Sequence, residues 1–174
     1  MFSVMPMRVL AGQTLPSFPT LMFIDKGNIT ITSTGATYTD NSNFTHTETE
    51  LNSNGYIITQ QDVGTAVTDY YIVVDANTDV TVTLQNVNID VSALMPLTSA
   101  FEVKTGSVNL TLIGTNTLIS GSNNAGLQVT SGSVIISGGT NDKLTTYGAG
   151  CAAGIGGGQG GSGGNITISG GTVT

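Results

Sequence analysis

Four short segments that recur along the chain decide the fold: Val80-Thr-Val-Thr-Leu84, Val108-Asn-Leu-Thr-Leu112, Val134-Ile-Ile-Ser137 and Ile166-Thr-Ile-Ser169. In each segment Val, Leu or Ile occupies every second position, which is typical of a β-strand that buries one face. Because side chains at i and i+2 of a strand point the same way, we expect these alternate aliphatic residues to face the interior. Thr81 and Thr83, which lie between them in the first segment, would then face solvent.

A second apolar position precedes each of these segments. Taking Ile72, Phe101, Leu127 and Ile155 as equivalent gives steps of 29, 26 and 28 residues. A regular step of this size, with two strands in each unit, indicates a repeat protein. One unit is too small to bury its own apolar face, so successive units stack and share a continuous core. The pattern therefore predicts a β-solenoid in which equivalent aliphatic residues lie one above another.

Other fold classes explain the sequence less well. Helices are unfavourable because Gly and the β-branched residues Thr, Val and Ile are spread along the whole chain. An antiparallel β-sandwich stays open, since short strands between turn residues are also typical of that class. The sequence lacks the two-residue hairpin turns that would join neighbouring strands of a sandwich, and a sandwich does not account for the repeat.

The composition limits the partners of the chain. Its 174 residues include 11 acidic and 4 basic side chains, which gives a formal net charge of −7. Binding to nucleic acid needs clustered Lys and Arg, whereas Arg8, Lys26, Lys104 and Lys143 are scattered, so we expect no nucleic-acid partner. Cys151 is the only cysteine, which excludes an intrachain disulfide and a thiolate metal site. We expect Cys151 to pack as a small residue in a turn.

Asparagines follow several of the predicted strands. One register places Asn88, Asn116 and Asn141 at matching corners of successive coils. Buried asparagines stacked in this way would hydrogen-bond one another and the backbone as a ladder. The other interpretation is that they are solvated turn residues, since Asn is common in turns. The sequence leaves both interpretations open.

The glycine-rich run Gly160-Gly-Ser-Gly-Gly-Asn165 partly matches the calcium-binding repeat G-G-x-G-x-D-x-U-x. Asn165 stands where that repeat has its carboxylate, and Thr167 occupies the apolar position. Calcium binds through several oxygen ligands whose charge sets the affinity. We therefore predict no metal site here and interpret the run as a tight loop with no room for Cβ atoms.

The organisation of the chain follows from these patterns. We divide it into an apolar N-terminal segment (1–27), a strand-rich lead-in or cap (28–70) and the β-helix repeats (71–174). Within the lead-in, Asn28-Ile-Thr-Ile-Thr32 and Tyr56-Ile-Ile-Thr59 are expected to form the first strands.

We also make predictions for the two ends of the chain. The apolar N-terminal segment is either the remnant of a clipped leader or a cap on the fold, because Pro6 and Arg8 interrupt its apolar run. A membrane-spanning helix needs roughly 18 consecutive apolar residues, and no such run is present, so we predict no transmembrane segment. Thr174 follows a predicted strand without a polar capping segment, so we expect the chain to be part of a longer protein that continues the solenoid.

The final run resembles the repeats of large bacterial surface proteins, commonly called adhesin-like or carbohydrate-binding-domain proteins. It reads Ala153-Gly-Ile-Gly-Gly-Gly-Gln-Gly-Gly-Ser-Gly-Gly-Asn-Ile-Thr-Ile-Ser-Gly-Gly-Thr-Val-Thr174, and Thr83-Leu-Gln-Asn-Val-Asn-Ile89 and Leu112-Ile-Gly-Thr-Asn-Thr-Leu-Ile-Ser-Gly-Ser122 are similar to such repeats as well. The resemblance covers about residues 70–174. It implies an all-β, right-handed parallel β-helix with coils of roughly 26–29 residues, located outside the cell or on its surface. It also implies contact with polysaccharide or a host glycan, and some relatives bind calcium through acidic clusters.

Catalysis is not expected, although parallel β-helices include polysaccharide lyases and hydrolases. Glycoside hydrolysis needs two carboxyl groups roughly 5–10 Å apart. Asp75 and Asp79 are close in sequence, but Asp in such a run is typical of a turn. Arg8 is the only arginine and lies outside the repeats, so the basic residue that a lyase requires is also missing. We predict no catalytic residue and keep the polysaccharide-active enzyme as an alternative.

We predict instead a surface that contacts polysaccharide. One tyrosine of the Tyr70-Tyr71 pair would face outward on a strand and offer its ring to a sugar, or would cover the core. The candidate carbohydrate-binding residues are Tyr70, Tyr71, Asp75, Asn77, Thr81, Thr83, Asn109 and Thr111. An inert stalk or spacer of a larger surface protein is the first alternative. Rows of Thr would also suit an ice surface, but Ile135 interrupts the row.

Overall fold

A computed structural model describes residues 18–40, 42–94 and 97–174. The expectation for the N-terminal segment falls mainly on residues 1–17, which lie outside the described residues. The described residues form β-strands and one short 3-10 helix, Ile24–Lys26. The strands are β1 (Thr20–Phe23), β2 (Ile29–Thr32), β3 (Gly35–Thr39), β4 (Thr45–Thr47), β5 (Tyr56–Thr59), β6 (Ile72–Gln85), β7 (Asn88–Asp90), β8 (Phe101–Ile113), β9 (Thr115–Ser122), β10 (Leu127–Val129), β11 (Ser133–Gly138), β12 (Lys143–Ala149), β13 (Ile155–Gly156), β14 (Asn165–Ile168) and β15 (Thr172–Val173).

The strands stack in parallel as a β-solenoid of about four turns, which confirms the predicted all-β fold class. Both predicted registers are also confirmed. The first column contains Ile72, Phe101, Leu127 and Ile155, and the second contains Val80, Val108, Val134 and Ile166. Residues that the sequence pattern made equivalent are therefore direct neighbours on adjacent strands.

Each full coil also contains a third strand, which the sequence pattern did not single out. Strands β7, β9, β12 and β15 form a separate parallel sheet, with Ile89 opposite Leu118. The inward positions of β9 include Asn116 and Ser120, which are polar and buried. These polar residues interrupt the apolar alternation that marks the other strands, so the sequence pattern does not indicate a strand here.

Aliphatic columns fill the interior of the solenoid. Val82, Leu110 and Ile136 lie on successive strands of one column, and each is 0% exposed. Burying a side chain of this size contributes about 1.5–3 kcal/mol relative to leaving it exposed. Because each coil covers the aliphatic residues of the next, the core is continuous along the stack, as expected for a repeat protein.

The N-terminal end combines parallel and antiparallel strands. The segments 28–32 and 56–59 supply early strands as predicted, since β2 and β5 both pair in parallel with β6, and β1 pairs with β5. Strands β3 and β4 then continue the sheet beyond β2 in antiparallel orientation. This antiparallel extension covers the edge of β2 and was not predicted from the sequence.

Of the two interpretations left open for Asn88, Asn116 and Asn141, the ladder is not observed, because the three residues do not share a register. Asn88 pairs with Thr117, Asn116 pairs with Leu144, and Asn141 is exposed outside the strands. The turn residues Asn86 and Gly114 have positive φ angles of 53° and 69°. Because Asn88 pairs with Thr117, the residues that precede them, Val87 and Asn116, are equivalent. Val87 comes one residue after the turn residue Asn86, whereas Asn116 comes two residues after the turn residue Gly114. The second coil therefore has one extra residue at this corner.

Asn116 is nevertheless buried, and its amide joins three coils. Its Oδ1 accepts a hydrogen bond from the Val87 amide at 3.0 Å, and its Nδ2 donates to the carbonyl oxygens of Ile113 and Lys143 at 3.2 and 3.3 Å. Gln60 has a similar position in an earlier coil, where its Oε1 accepts from the Asn88 amide at 2.6 Å. Single buried amides, and not an asparagine ladder, satisfy the backbone at this corner.

Candidate functional site

The outward side chains of β6 and β8 form two rows that match across the strands. Thr81 lies opposite Asn109, and Thr83 lies opposite Thr111. Thr81 and Asn109 are exposed, whereas Thr83 and Thr111 are half-buried. We call these four residues the β6–β8 face. Adjacent strands are about 4.8 Å apart, so the face presents hydroxyl and amide groups at a regular spacing.

The alternation of buried and outward residues along each strand fixes the direction of these side chains. Val80, Val82 and Leu84 are at most 3% exposed and fix which side of β6 faces the core. Alternation then directs Thr81 and Thr83 outward. On β8, the buried residues Val108, Leu110 and Leu112 direct Asn109 and Thr111 outward in the same way.

Most polar groups of the β6–β8 face have no partner within the protein. The side chains of Thr81, Thr83 and Asn109 make no hydrogen bond with any residue that the structure describes. Thr111 Oγ1 lies 3.4 Å from Ser137 Oγ on the next strand. Three of the four side chains are therefore available to water or a ligand.

The face continues onto the following coil with a mixed composition. Ile135 lies beside Asn109, and Ser137 lies beside Thr111. Ile135 is 44% exposed, so it interrupts the row of polar residues, as the sequence indicated. Ile135 and Ser137 carry no charge, but the exposed Asp79 lies two residues before Thr81 on the same side of β6, opposite Ser107, and makes the edge of this surface negative.

Tyr70 and Tyr71 do not lie on a strand, so the expected alternation between them does not apply. Both are half-buried and precede Ile72, the first residue of β6. Tyr70 packs against the core and lines a groove of about 180 Å³ with residues that include Asp25, Asp62 and Asp69. The Tyr71 amide donates to Asn28 Oδ1 at 3.0 Å, which ties the start of this coil to the preceding one.

Asp75 and Asn77 meet at the corner that divides β6. Asp75 Oδ1 accepts a hydrogen bond from Thr105 Oγ1 at 2.6 Å, and the Asn77 amide donates to the same Thr105 oxygen at 3.2 Å. Asn77 adopts a positive φ of 55°, a conformation that Asn tolerates better than most residues. The structure therefore places these two residues together in a hydrogen-bonded corner, separate from the tyrosines and from the β6–β8 face.

A polar and aromatic cluster occupies the β3–β4 hairpin. His46 Nε2 lies 2.7 Å from Asp40 Oδ2, and the His46 ring stacks on Tyr38 with centroids 5.0 Å apart. The hydrogen bond from His46, together with the backbone amides of Phe44 and Ser42, holds the pKa of Asp40 below its usual value. Burial raises the pKa of Tyr38. These contacts hold the hairpin together at the antiparallel end of the stack.

The structure also bears on a possible metal site and on the single cysteine. Within residues 18–40, 42–94 and 97–174, no three His, Cys, Asp or Glu side chains are grouped so that they would hold a metal ion. Cys151 lies in a turn, as expected, but it is exposed and not packed against other residues as the sequence predicted. Its chain neighbours Gly150 and Ala152 are too small to cover it.

Tyr147 is an exposed aromatic residue that is not among the candidate residues predicted from the sequence. It lies on β12, where Leu144 and Thr146 are buried and Thr145 and Tyr147 take the outward positions. Its side chain is 57% exposed. Recognition of Lys143–Ala149 as a strand would have identified this outward ring from the alternation alone.

Comparison of the chain with protein-family models, curated proteins and solved structures found no match. Among the described residues, no helix has the length and apolar character needed to cross a membrane.

Proposed function

We propose that this solenoid is an extracellular structural or adhesive module whose β6–β8 face contacts a neutral polysaccharide. The observation that carries the proposal is the register of this face, where Thr81 lies opposite Asn109 and Thr83 lies opposite Thr111. A polymer of identical sugars would repeat the same hydrogen bonds along such rows. Extracellular or cell-surface display belongs to the same proposal, because cell-surface polysaccharides and host glycans are encountered there.

The shape of the solenoid favours an extended and weak contact. Buried aliphatic columns fill the interior, so the candidate carbohydrate-binding residues line no cavity of the 300–1,000 Å³ that is roughly typical of small-molecule sites. Each hydrogen bond to a sugar replaces one to water and contributes about 0.5–1.5 kcal/mol. Useful affinity would therefore come from many coils or many copies acting together.

Charge determines which polysaccharides suit this surface. The chain has a formal net charge of −7, which opposes the approach of an acidic polymer. The four residues of the β6–β8 face carry no charge, and the exposed Asp79 beside Thr81 is negative, so a neutral polymer suits this surface better than an acidic one. Calcium enters the proposal only as a bridging ion that would allow an acidic polysaccharide to bind.

Binding to a panel of immobilised neutral and acidic glycans, with and without calcium, tests the proposal. We expect retention on at least one neutral glycan without calcium. The double variant Thr83→Ala/Thr111→Ala should lose this retention, whereas the control Thr37→Ala, an exposed threonine on β3, should keep it. Tight binding of a single small sugar would contradict an extended site. Failure to bind any glycan would favour the stalk or spacer, and release of shortened products would favour a lyase or hydrolase.

A further inference from the structure

The third sheet of the solenoid presents a second outward surface. On β7, β9 and β12, the residues Asn88, Thr117 and Thr145 lie side by side in one row. The adjacent row contains Asp90, Ile119 and Tyr147. The first row offers one amide and two hydroxyl groups, and the second ends in an aromatic ring.

Tyr147 is presented differently from the other tyrosines near the proposed site. Its side chain is 57% exposed, whereas Tyr70 and Tyr71 are half-buried. Its ring and hydroxyl group make no ring contact or hydrogen bond with any residue in the described part of the chain. The buried neighbours Leu144 and Thr146 fix the orientation of β12, so the ring projects from a rigid strand.

The local charge restricts what this ring would bind. Residues 144–174 contain no Asp, Glu, Lys or Arg. Two charged side chains share this surface: Lys143, two residues before Thr145 on the same side of β12, and Asp90, two strands away in the row of Tyr147. They have opposite signs, and Ile119 separates Asp90 from Tyr147, so the ring suits the C–H face of a neutral pyranose, whose hydroxyl groups point outward around the ring. Thr145 lies two residues before Tyr147 on the same face, about 6.6 Å away along the strand. It is therefore placed to bond a hydroxyl group of a sugar stacked on Tyr147.

We infer that Tyr147, with Thr145 and Thr117, forms a second sugar-binding subsite for a neutral pyranose on the sheet of β7, β9 and β12. This inference rests on the proposed polysaccharide-binding function and adds a second face to it. Tyr147 would supply the stacking surface, because an aromatic ring offers a large rigid contact area with a polar tip. The threonines would supply hydrogen bonds to the sugar hydroxyl groups.

Soluble neutral polysaccharides (a β-1,3-glucan, a β-1,4-mannan and a xylan) serve as probes in affinity electrophoresis of the full chain. Four proteins are compared: the wild type, Tyr147→Ala, Tyr147→Phe and Thr83→Ala/Thr111→Ala. We expect Tyr147→Ala to weaken binding about three- to ten-fold, as loss of an aromatic contact does. Tyr147→Phe should retain most of the affinity because it keeps the ring. Circular dichroism melting curves confirm that each variant is folded, which the exposure of Tyr147 leads us to expect.

Comparing the four proteins distinguishes failure of the Tyr147 subsite from failure of the β6–β8 face. If Tyr147→Ala binds like the wild type while Thr83→Ala/Thr111→Ala loses binding, the Tyr147 subsite is wrong and the β6–β8 face stands. If only Tyr147→Ala loses binding, the subsite stands and the β6–β8 face is wrong. Equal losses in Tyr147→Phe and Tyr147→Ala would overturn the stacking role. Absence of wild-type binding to all three polysaccharides would overturn both proposals.

Discussion

The middle coils and the last coil share one strand register but differ in how they are held. In the middle coils Val82, Leu110 and Ile136 occupy the same inward column and are fully buried. Ile168 continues that column in the last coil but is 53% exposed. Within these 174 residues strand pairing therefore extends one coil farther than full burial does, because no described strand pairs with the other side of the strand that contains Ile168.

Glycine explains how the last coil keeps its register with few buried side chains. A Cβ atom at Gly164 would overlap the carbonyl oxygen of Gly132 and the side chain of Val129. The Gly164 amide donates to the Val129 carbonyl oxygen at 2.8 Å. Close backbone approach, and not an apolar column, places this segment against the preceding coil.

The largest expected difference is between two residues of the same column. Leu110→Ala should lower the free energy of unfolding by about 2–5 kcal/mol, because it leaves a cavity in a closed core. Ile168→Ala should cost less than about 1 kcal/mol, since half of its side chain already contacts solvent. Urea denaturation followed by circular dichroism measures both, and equal losses would show that the two coils are equally closed.

A buried amide in the middle coils gives the next largest effect. Asn116→Ala should lower the free energy of unfolding by about 1–3 kcal/mol, because it leaves buried backbone groups without partners. Asn88→Ala is the matched control, since Asn88 is half-buried and uses its backbone amide in the contact with Gln60. Thermal melting of both variants checks this difference. A loss for Asn88→Ala as large as that for Asn116→Ala would contradict the register described for this corner.

Two glycines near the end of the chain allow two effects on stability to be measured separately: the close approach of neighbouring atoms and the strain of a positive φ angle. Gly164→Ala should cost about 1–3 kcal/mol, because the added methyl group overlaps neighbouring atoms. Gly160 has a positive φ of 70°, but a side chain added there would point into open space. Gly160→Asn should therefore have a smaller effect, since Asn accepts this conformation. Denaturant melts of the two variants make the comparison, and a reversed order would show that φ strain outweighs close approach here.

The smallest effect is expected on the outer face of a middle coil. Thr111→Ala should change the free energy of unfolding by less than about 0.5 kcal/mol, because the side chain points outward and makes one long contact with Ser137. Its neighbour Leu110 provides the contrast, since it lies on the opposite side of the same strand. Equal losses for Leu110→Ala and Thr111→Ala in urea would mean that the faces of β8 are exchanged.

Where apolar and polar residues alternate along the chain, most of the fold could be predicted from the sequence. The register of Ile72, Phe101, Leu127 and Ile155 could be predicted because a two-residue period and a repeat of nearly constant length both mark it. The third strand of each coil could not, because Asn116 and Ser120 break the apolar pattern with buried polar groups. The one-residue error at Asn88 has a related origin, since an extra corner residue changes the register without changing the composition.

The candidate site was predictable only in part. Alternation placed Thr81, Thr83, Asn109 and Thr111 together on one face. It could not show that Tyr70 and Tyr71 precede the strand, because the start of β6 depends on backbone pairing with other coils. Tyr147 was missed for a related reason, since β12 carries a buried Thr146 where the pattern expected an aliphatic residue.

We propose that recognition uses extended rows of groups on the outer surface and not a pocket. Isothermal titration of the full chain with neutral oligosaccharides of increasing length, drawn from the glycan retained on the panel, tests it most directly. Affinity should rise with each added sugar until the ligand spans the strands of the face. A disaccharide that binds as tightly as the longest oligosaccharide would contradict it.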